Sequence, residues 1–163
     1  MPEKIFVECK PDEALVNKIL DVPECRIYHA SNRSGVVKRL RKNENCAGMV
    51  DNDPGKPKSN YYKNEFVKID ENKEFDFWIT KHKSTGNILI ELVPDLETWI
   101  INFSKKNGIS LKEFSLSDNP GRLHRIINQS LTEFIIFLEF LKENENFKKF
   151  CLEFNKTLLE NKG

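Results

Sequence analysis

Ten consecutive residues, Cys46-Ala47-Gly48-Met49-Val50-Asp51-Asn52-Asp53-Pro54-Gly55, constrain the rest of the chain. The apolar run has the length of one buried strand and ends on two aspartates. Pro54 cannot donate to a strand ladder and Gly55 tolerates turn dihedrals, so the strand stops there. Side chains alternate along a strand, so Asp51 and Asp53 share a face if extended geometry reaches that far. A core strand that delivers carboxylates at its carboxyl end fits an open α/β sheet, whose ligand crevice lies on that rim. An Asp-rich turn without chemistry would look the same in isolation. Glu8, which ends the earlier apolar run Ile5-Phe6-Val7, supplies a third carboxylate in an equivalent position.

The flanking segments support such a sheet. Pro11, Asp12 and Glu13 open a helix whose apolar face is Ala14, Leu15, Ile19 and Leu20. Cys25 to Ala30 reads as a second strand. Ser31-Asn32 caps a helix that turns Val36, Val37 and Leu40 inward. This β-α-β-α-β order, with helix-length crossovers, predicts three parallel strands joined right-handedly. Beyond Gly55, residues 56–60 form a polar loop and residues 61–70 show no decisive period. Phe75 to Lys81 and Asn87 to Val93 predict an antiparallel hairpin around Lys83-Ser84-Thr85-Gly86. Pro94-Asp95-Leu96-Glu97 opens a helix with Trp99, Ile100 and Phe103 facing inward.

From Ser110 the pattern is helical. A short segment covers Leu111 to Phe114, a long helix runs from Asn119-Pro120-Gly121 through Leu141, and a last one spans Phe147 to Leu159. Their phenylalanines read as packing against one another or the sheet. The expected architecture is an α/β core over residues 1–108, a Rossmann-like three-layer sandwich with a mainly parallel sheet and an added antiparallel hairpin. A C-terminal helical segment, residues 109–163, packs on it.

A chain of 163 residues can bury such a core. Its net charge of +1 gives no global attraction to polyanions, so any phosphate affinity is local. Arg33, Lys38, Arg39, Arg41 and Lys42 crowd one helix, while Lys56, Lys58 and Lys63 follow the aspartates. Arg33, Lys38 and Lys56 are the candidate phosphate ligands at the rim; a solvated basic surface accounts for the same residues. The four cysteines (Cys9, Cys25, Cys46, Cys151) form no Cys-x-x-Cys pair, which predicts a reduced, cytoplasmic protein. Met1-Pro2-Glu3-Lys4 does not read as a signal peptide, and no run is long and apolar enough for a membrane span. His29, His82 and His124 lack zinc-site spacing. His82, between Lys81 and Lys83, reads as an exposed hairpin residue. Neither Gly-x-Ser-x-Gly nor a phosphate-cradling glycine loop occurs.

Carboxylates gathered at neighbouring strand ends repel one another unless something neutralises them. Oxygen ligands without thiolate or imidazole select Mg²⁺ or Mn²⁺. Ile5-Phe6-Val7-Glu8 and Met49-Val50-Asp51-Asn52-Asp53 resemble the two signatures of the Toprim family. That family supplies the catalytic domain of type IA and type II topoisomerases, bacterial primases and the overcoming-lysogenization-defect nucleases. The resemblance covers residues 4–97 and is nearest to a small stand-alone nuclease type.

It implies a Toprim fold, Glu8 as general acid/base or metal ligand, and Asp51 and Asp53 as metal ligands. It also implies Glu97 as the downstream acid for a second metal, and Asp12 as an acid supporting the metal ligands. An acidic first helical turn explains Asp12 and Glu97 equally well. Cys9 stands where the family has glycine, and no crossover helix is evident after Asp53. The implied activity is Mg²⁺-dependent phosphodiester hydrolysis on nucleic acid. The alternative is a non-catalytic module of the same fold that binds a partner protein or nucleic acid. Haloacid-dehalogenase phosphatases carry their Asp-x-Asp after the first strand, and response-regulator receivers carry an acidic pair there; this chain has the reverse distribution.

Overall fold

The computed structural model describes residues 1–20 and 26–160. Six strands form one sheet: β1 (Lys4–Val7), β2 (Ile27–His29), β3 (Cys46–Asp51), β4 (Phe66–Asn72), β5 (Phe77–His82) and β6 (Ile88–Leu92). Their order across the sheet is β2-β1-β3-β6-β5-β4. β1 pairs in parallel with β2 and β3, and β3 pairs in parallel with β6. The β5 strand runs antiparallel to both β6 and β4. The architecture is therefore α/β with a mixed sheet, as the sequence predicts.

Alternation along the strands divides the core. Ile5, Val7, Ala47, Met49, Ile88 and Ile90 point to one face and join an apolar cluster that reaches Leu158. That face carries α1 (Lys10–Leu20), α4 (Leu96–Lys106), α5 (Pro120–Gln129), α6 (Thr132–Leu141) and α7 (Glu145–Glu160). Phe150 sits at its centre, with its ring 4.6 Å from Trp99 and 5.7 Å from Phe75. The phenylalanines thus pack as expected, and the C-terminal helices share one apolar cluster with the sheet. Phe6, Val50 and Leu89 point the other way, under α2 (Arg33–Lys42) and the short α3 (Asn60–Glu65). A Cβ at Gly48 would lie 2.7 Å from Val36 Cγ1, so glycine there lets α2 approach the sheet closely.

Several expectations change. The second strand is Ile27–His29, and Cys25 lies outside the described residues. Residues 61–70, without a clear period, become α3 and most of β4; β4 is an edge strand with a bulge between Lys68 and Asp70, which breaks the alternation. The long helix is two, because Ser130 adopts an extended backbone that ends α5. His82 is buried, 3% exposed, because it pairs with Phe66 of the edge strand and packs 4.9 Å from that ring. Cys9, Cys46 and Cys151 are free thiols. Among the described residues no helix is long and apolar enough to cross a membrane.

Candidate functional site

The chain leaves β1 for β2 on one side and returns to β3 on the other, so the winding reverses between β1 and β3. Ligand crevices of open α/β sheets form at such a switch point. Glu8 follows β1 there, and its Oε2 accepts the backbone N–H of Asp51, the last residue of β3, at 3.0 Å. Burial, with the nearby Asp53 charge, raises the Glu8 carboxyl above its ordinary range.

Asp51 and Asp53 diverge rather than share a face. The strand ends at Asp51, and Asp53 adopts a left-handed backbone with φ 45°, so the period-two relation is lost. Asp51 Oδ1 accepts the N–H of Leu96 at 2.8 Å, at the start of α4. It shares that side with Asp12 and Glu97. Burial, then the charges of Asp12, Glu8 and Glu97, push Asp51 up to about 9. Asp12, 2% exposed, accepts from the backbone N–H and thiol of Cys9, both at 3.2 Å. It closes the first turn of α1 as the third residue of a capping box does. Burial pushes Asp12 up to about 7, with Glu8 and Glu97 adding to the effect. Glu97 also meets His124 of α5, Oε1 to Nδ1, at 2.7 Å.

Asp53 instead faces an open cleft of about 210 Å³ that Glu8 also lines. Arg33, Lys56 and Lys58 line the same cleft. Lys56 Nζ lies 3.1 Å from Asp53 Oδ2, while Lys58 Nζ donates to the carbonyls of Asn52 and Asp53. Burial and the neighbouring Arg33 lower the Lys58 ammonium from its usual range. Lys38, a full turn further along α2, is exposed and does not line the cleft.

Arg33 is less free than a phosphate ligand read from sequence would be. Nη1 donates to the Asp51 carbonyl at 2.7 Å and Nη2 to Glu91 Oε1 at 2.6 Å. Its guanidinium also lies 4.3 Å from the centre of the Tyr62 ring. Glu91, on β6, is fully buried and also accepts from the Tyr62 hydroxyl at 2.7 Å, from Asn52 and from Thr80. Nothing in the sequence around this carboxylate marks a site, because it sits inside an apolar run, Ile88 to Leu92. The charge itself, at an interior position of such a run, is the available signal.

The donor set is all oxygen, which fits a hard divalent cation in kind. Among the described residues, however, no three His, Cys, Asp or Glu side chains stand together closely enough to hold one as arranged. Glu8 is the member common to both groups of acids, through its contact with Asp51 and the Asp53 charge. Comparison with protein-family models, curated proteins and solved structures returns no match.

Proposed function

We propose that the chain is a Toprim-type nuclease that hydrolyses phosphodiesters of nucleic acid with Mg²⁺ or Mn²⁺. The observation that carries this reading is the cleft at the switch point, where Glu8 and Asp53 share a wall with Arg33, Lys56 and Lys58. Acids and bases in one crevice suit a substrate that needs both a bound cation and a held phosphate. Glu8 and Asp53 would hold the ion on the cleft side, and Asp51 would join them by turning from Leu96. Asp12 and Glu97 back Asp51 with further negative charge. When bound, a divalent ion polarises the phosphate and lowers the pKa of an attached water. Lys58, anchored on two carbonyls, presents its positive charge to the phosphate, and Arg33 is held in place by Glu91. The Glu8 carboxyl, raised by burial, is suited to exchange a proton with water.

A second reading, a non-catalytic module binding nucleic acid or a partner protein, is favoured by one contact. Lys56 already neutralises Asp53 in part, and the acids are not gathered into a ligand set. Cleavage of single- and double-stranded DNA and RNA with Mg²⁺ or Mn²⁺, comparing the wild type with Glu8→Gln, separates the two. The nuclease reading expects a loss of several orders of magnitude in the variant. Equal cleavage by both proteins, or none by either with metal bound, overturns it.

A further inference from the structure

The helical layer that flanks the cleft is charged very differently from the chain as a whole. Across α2, the loop of residues 54–59 and α3, the sequence carries eight lysines and arginines and a single acid, Glu65, against a net charge of +1 for the whole chain. Glu65 is already committed, to Arg41 at 2.6 Å and His82 at 3.1 Å. Lys38, Arg39, Lys42, Lys56 and Lys63 are exposed.

Aromatic rings frame this basic layer on both sides. Tyr28 pairs with Phe6 across β2 and β1, so its side chain rises on the α2 face; the two rings lie 5.8 Å apart. Tyr28 is 42% exposed on the edge strand. On the other flank Tyr61 of α3 is 47% exposed, with the Arg41 guanidinium 3.9 Å from its ring centre. A ring already stacked by arginine on one side is pre-oriented, so less side-chain freedom is lost when a base covers it. Further along the same sheet face, Trp78 pairs with Glu91 and is only half-buried, with Lys68 3.7 Å from its ring.

From this arrangement we propose that the α2–α3 face binds single-stranded nucleic acid, with Tyr28 and Tyr61 as stacking platforms. Exposed lysines and arginines between them follow the phosphates. Flat rings beside cations reward bases whose faces are free, and a duplex hides those faces. The cleft at the start of α2, about 210 Å³, lies at the end of this face. The proposal deepens the phosphodiester reading by naming its substrate class, and the strand would lead directly into the rim that holds Glu8.

Binding is tested apart from cleavage, on the full chain in EDTA, by fluorescence anisotropy with labelled 20-mers of poly-dT and poly-rU and a 20-base-pair duplex. The single strands should bind at least tenfold more tightly than the duplex, and the two oligomers show whether DNA or RNA is preferred. Tyr28→Ala and Tyr61→Ala should each weaken binding about tenfold, whereas Tyr61→Phe should bind as the wild type does. Lys38→Ala combined with Lys42→Ala should flatten the slope of log affinity against log salt by about 1.4, roughly 0.7 for each lost phosphate contact. Unchanged melting temperatures would show that these exposed substitutions leave the fold intact. Duplex binding equal to or tighter than single-strand binding overturns the proposal, as does wild-type affinity in both tyrosine-to-alanine variants. Capture by phosphatidylserine vesicles without oligonucleotide binding overturns it as well. Because this assay contains no metal, it reads binding alone; binding in EDTA together with no cleavage when Mg²⁺ or Mn²⁺ is supplied leaves this interface standing while the hydrolytic reading falls.

Discussion

Arg33 and Glu91, fifty-eight positions apart, meet at 2.6 Å beneath the α2–α3 layer, where the Glu91 side chain has no solvent contact. A buried carboxylate is tolerated only when its lone pairs are filled, and this one is filled by Arg33, Tyr62, Thr80 and Asn52. Removing it strands a guanidinium whose Nε is already buried without a partner. Glu91→Ala should therefore lower the unfolding free energy by about 3–5 kcal/mol. Urea denaturation measures it, and a loss below about 1 kcal/mol would show that the pair contributes little.

The acid cluster makes stability depend on pH in an unusual direction. Asp12 and Asp51 are pushed up to about 7 and about 9, from ordinary values near 3.8. Between about pH 4 and about pH 9 these two carboxyls therefore bind more protons in the folded than in the unfolded chain, so their contribution to stability falls as pH rises. The contribution of these groups is complete below about pH 4. Metal-free thermal melting across this window should show the decline, and Asp12→Asn should remove the part between about pH 4 and 7. A melting temperature that rises through the window would contradict the cluster.

Repulsion among the acids also gives divalent ions leverage. Under the nuclease reading, Mg²⁺ or Mn²⁺ at a hundred times its dissociation constant should stabilise the chain by about 2.7 kcal/mol, reversibly with chelator. Asp53→Asn and Glu8→Gln should abolish that gain while leaving the metal-free melting temperature equal or higher. Scanning calorimetry with and without metal reads both effects. An undiminished metal response in either variant would remove that residue from the ligand set.

At Gly48 the packing of α2 on the sheet rests on one missing methyl group. A Cβ on Gly48 would stand 2.7 Å from Val36 and 3.1 Å from Leu89. Gly48→Ala should cost about 1–3 kcal/mol, because α2 or its side chains must shift. Chemical denaturation gives the number. A neutral result would mean that the Val36 and Leu89 side chains move aside freely.

The first three strands, their two intervening helices and the hairpin were legible because each carries its own period and its own punctuation. Asn32, for instance, caps its helix as read, accepting from Gly35 at 2.8 Å, and the helix read as opening at residues 94–97 begins at Leu96, capped by Asp95. The edge strand β4 was not legible, since Val67 to Asp70 are all exposed and a bulge removes the alternation. At the rim, Glu8 and Asp51 were legible as neighbours because strand ends fix them. Their orientation was not, because it depends on the left-handed backbone at Asp53 and on the Leu96 N–H, neither of which leaves a mark in the residue pattern. Asp12 was ambiguous between an acidic first helical turn and chemistry; its contacts with the backbone N–H and thiol of Cys9 add a capping role that neither reading contained. Glu91 escaped because its four partners come from α2, α3, β5 and the end of β3, a convergence only the folded chain creates.

The six residues of α3 bury none of their number, and an isolated helix that short has no stability of its own in water. It persists because the Ser59 cap, the Tyr62 hydroxyl on Glu91, the Glu65 carboxylate and the Lys83 ammonium on the Asn64 carbonyl fasten it from outside. Its helicity is thus a gauge of its fastenings. Whatever draws Arg33 from Glu91 loosens the seat of Tyr62, and amide exchange at Tyr62 to Glu65 would quicken before that of any sheet strand. A helix fastened in this way converts a change at the buried pair into a signal that can be read on the surface.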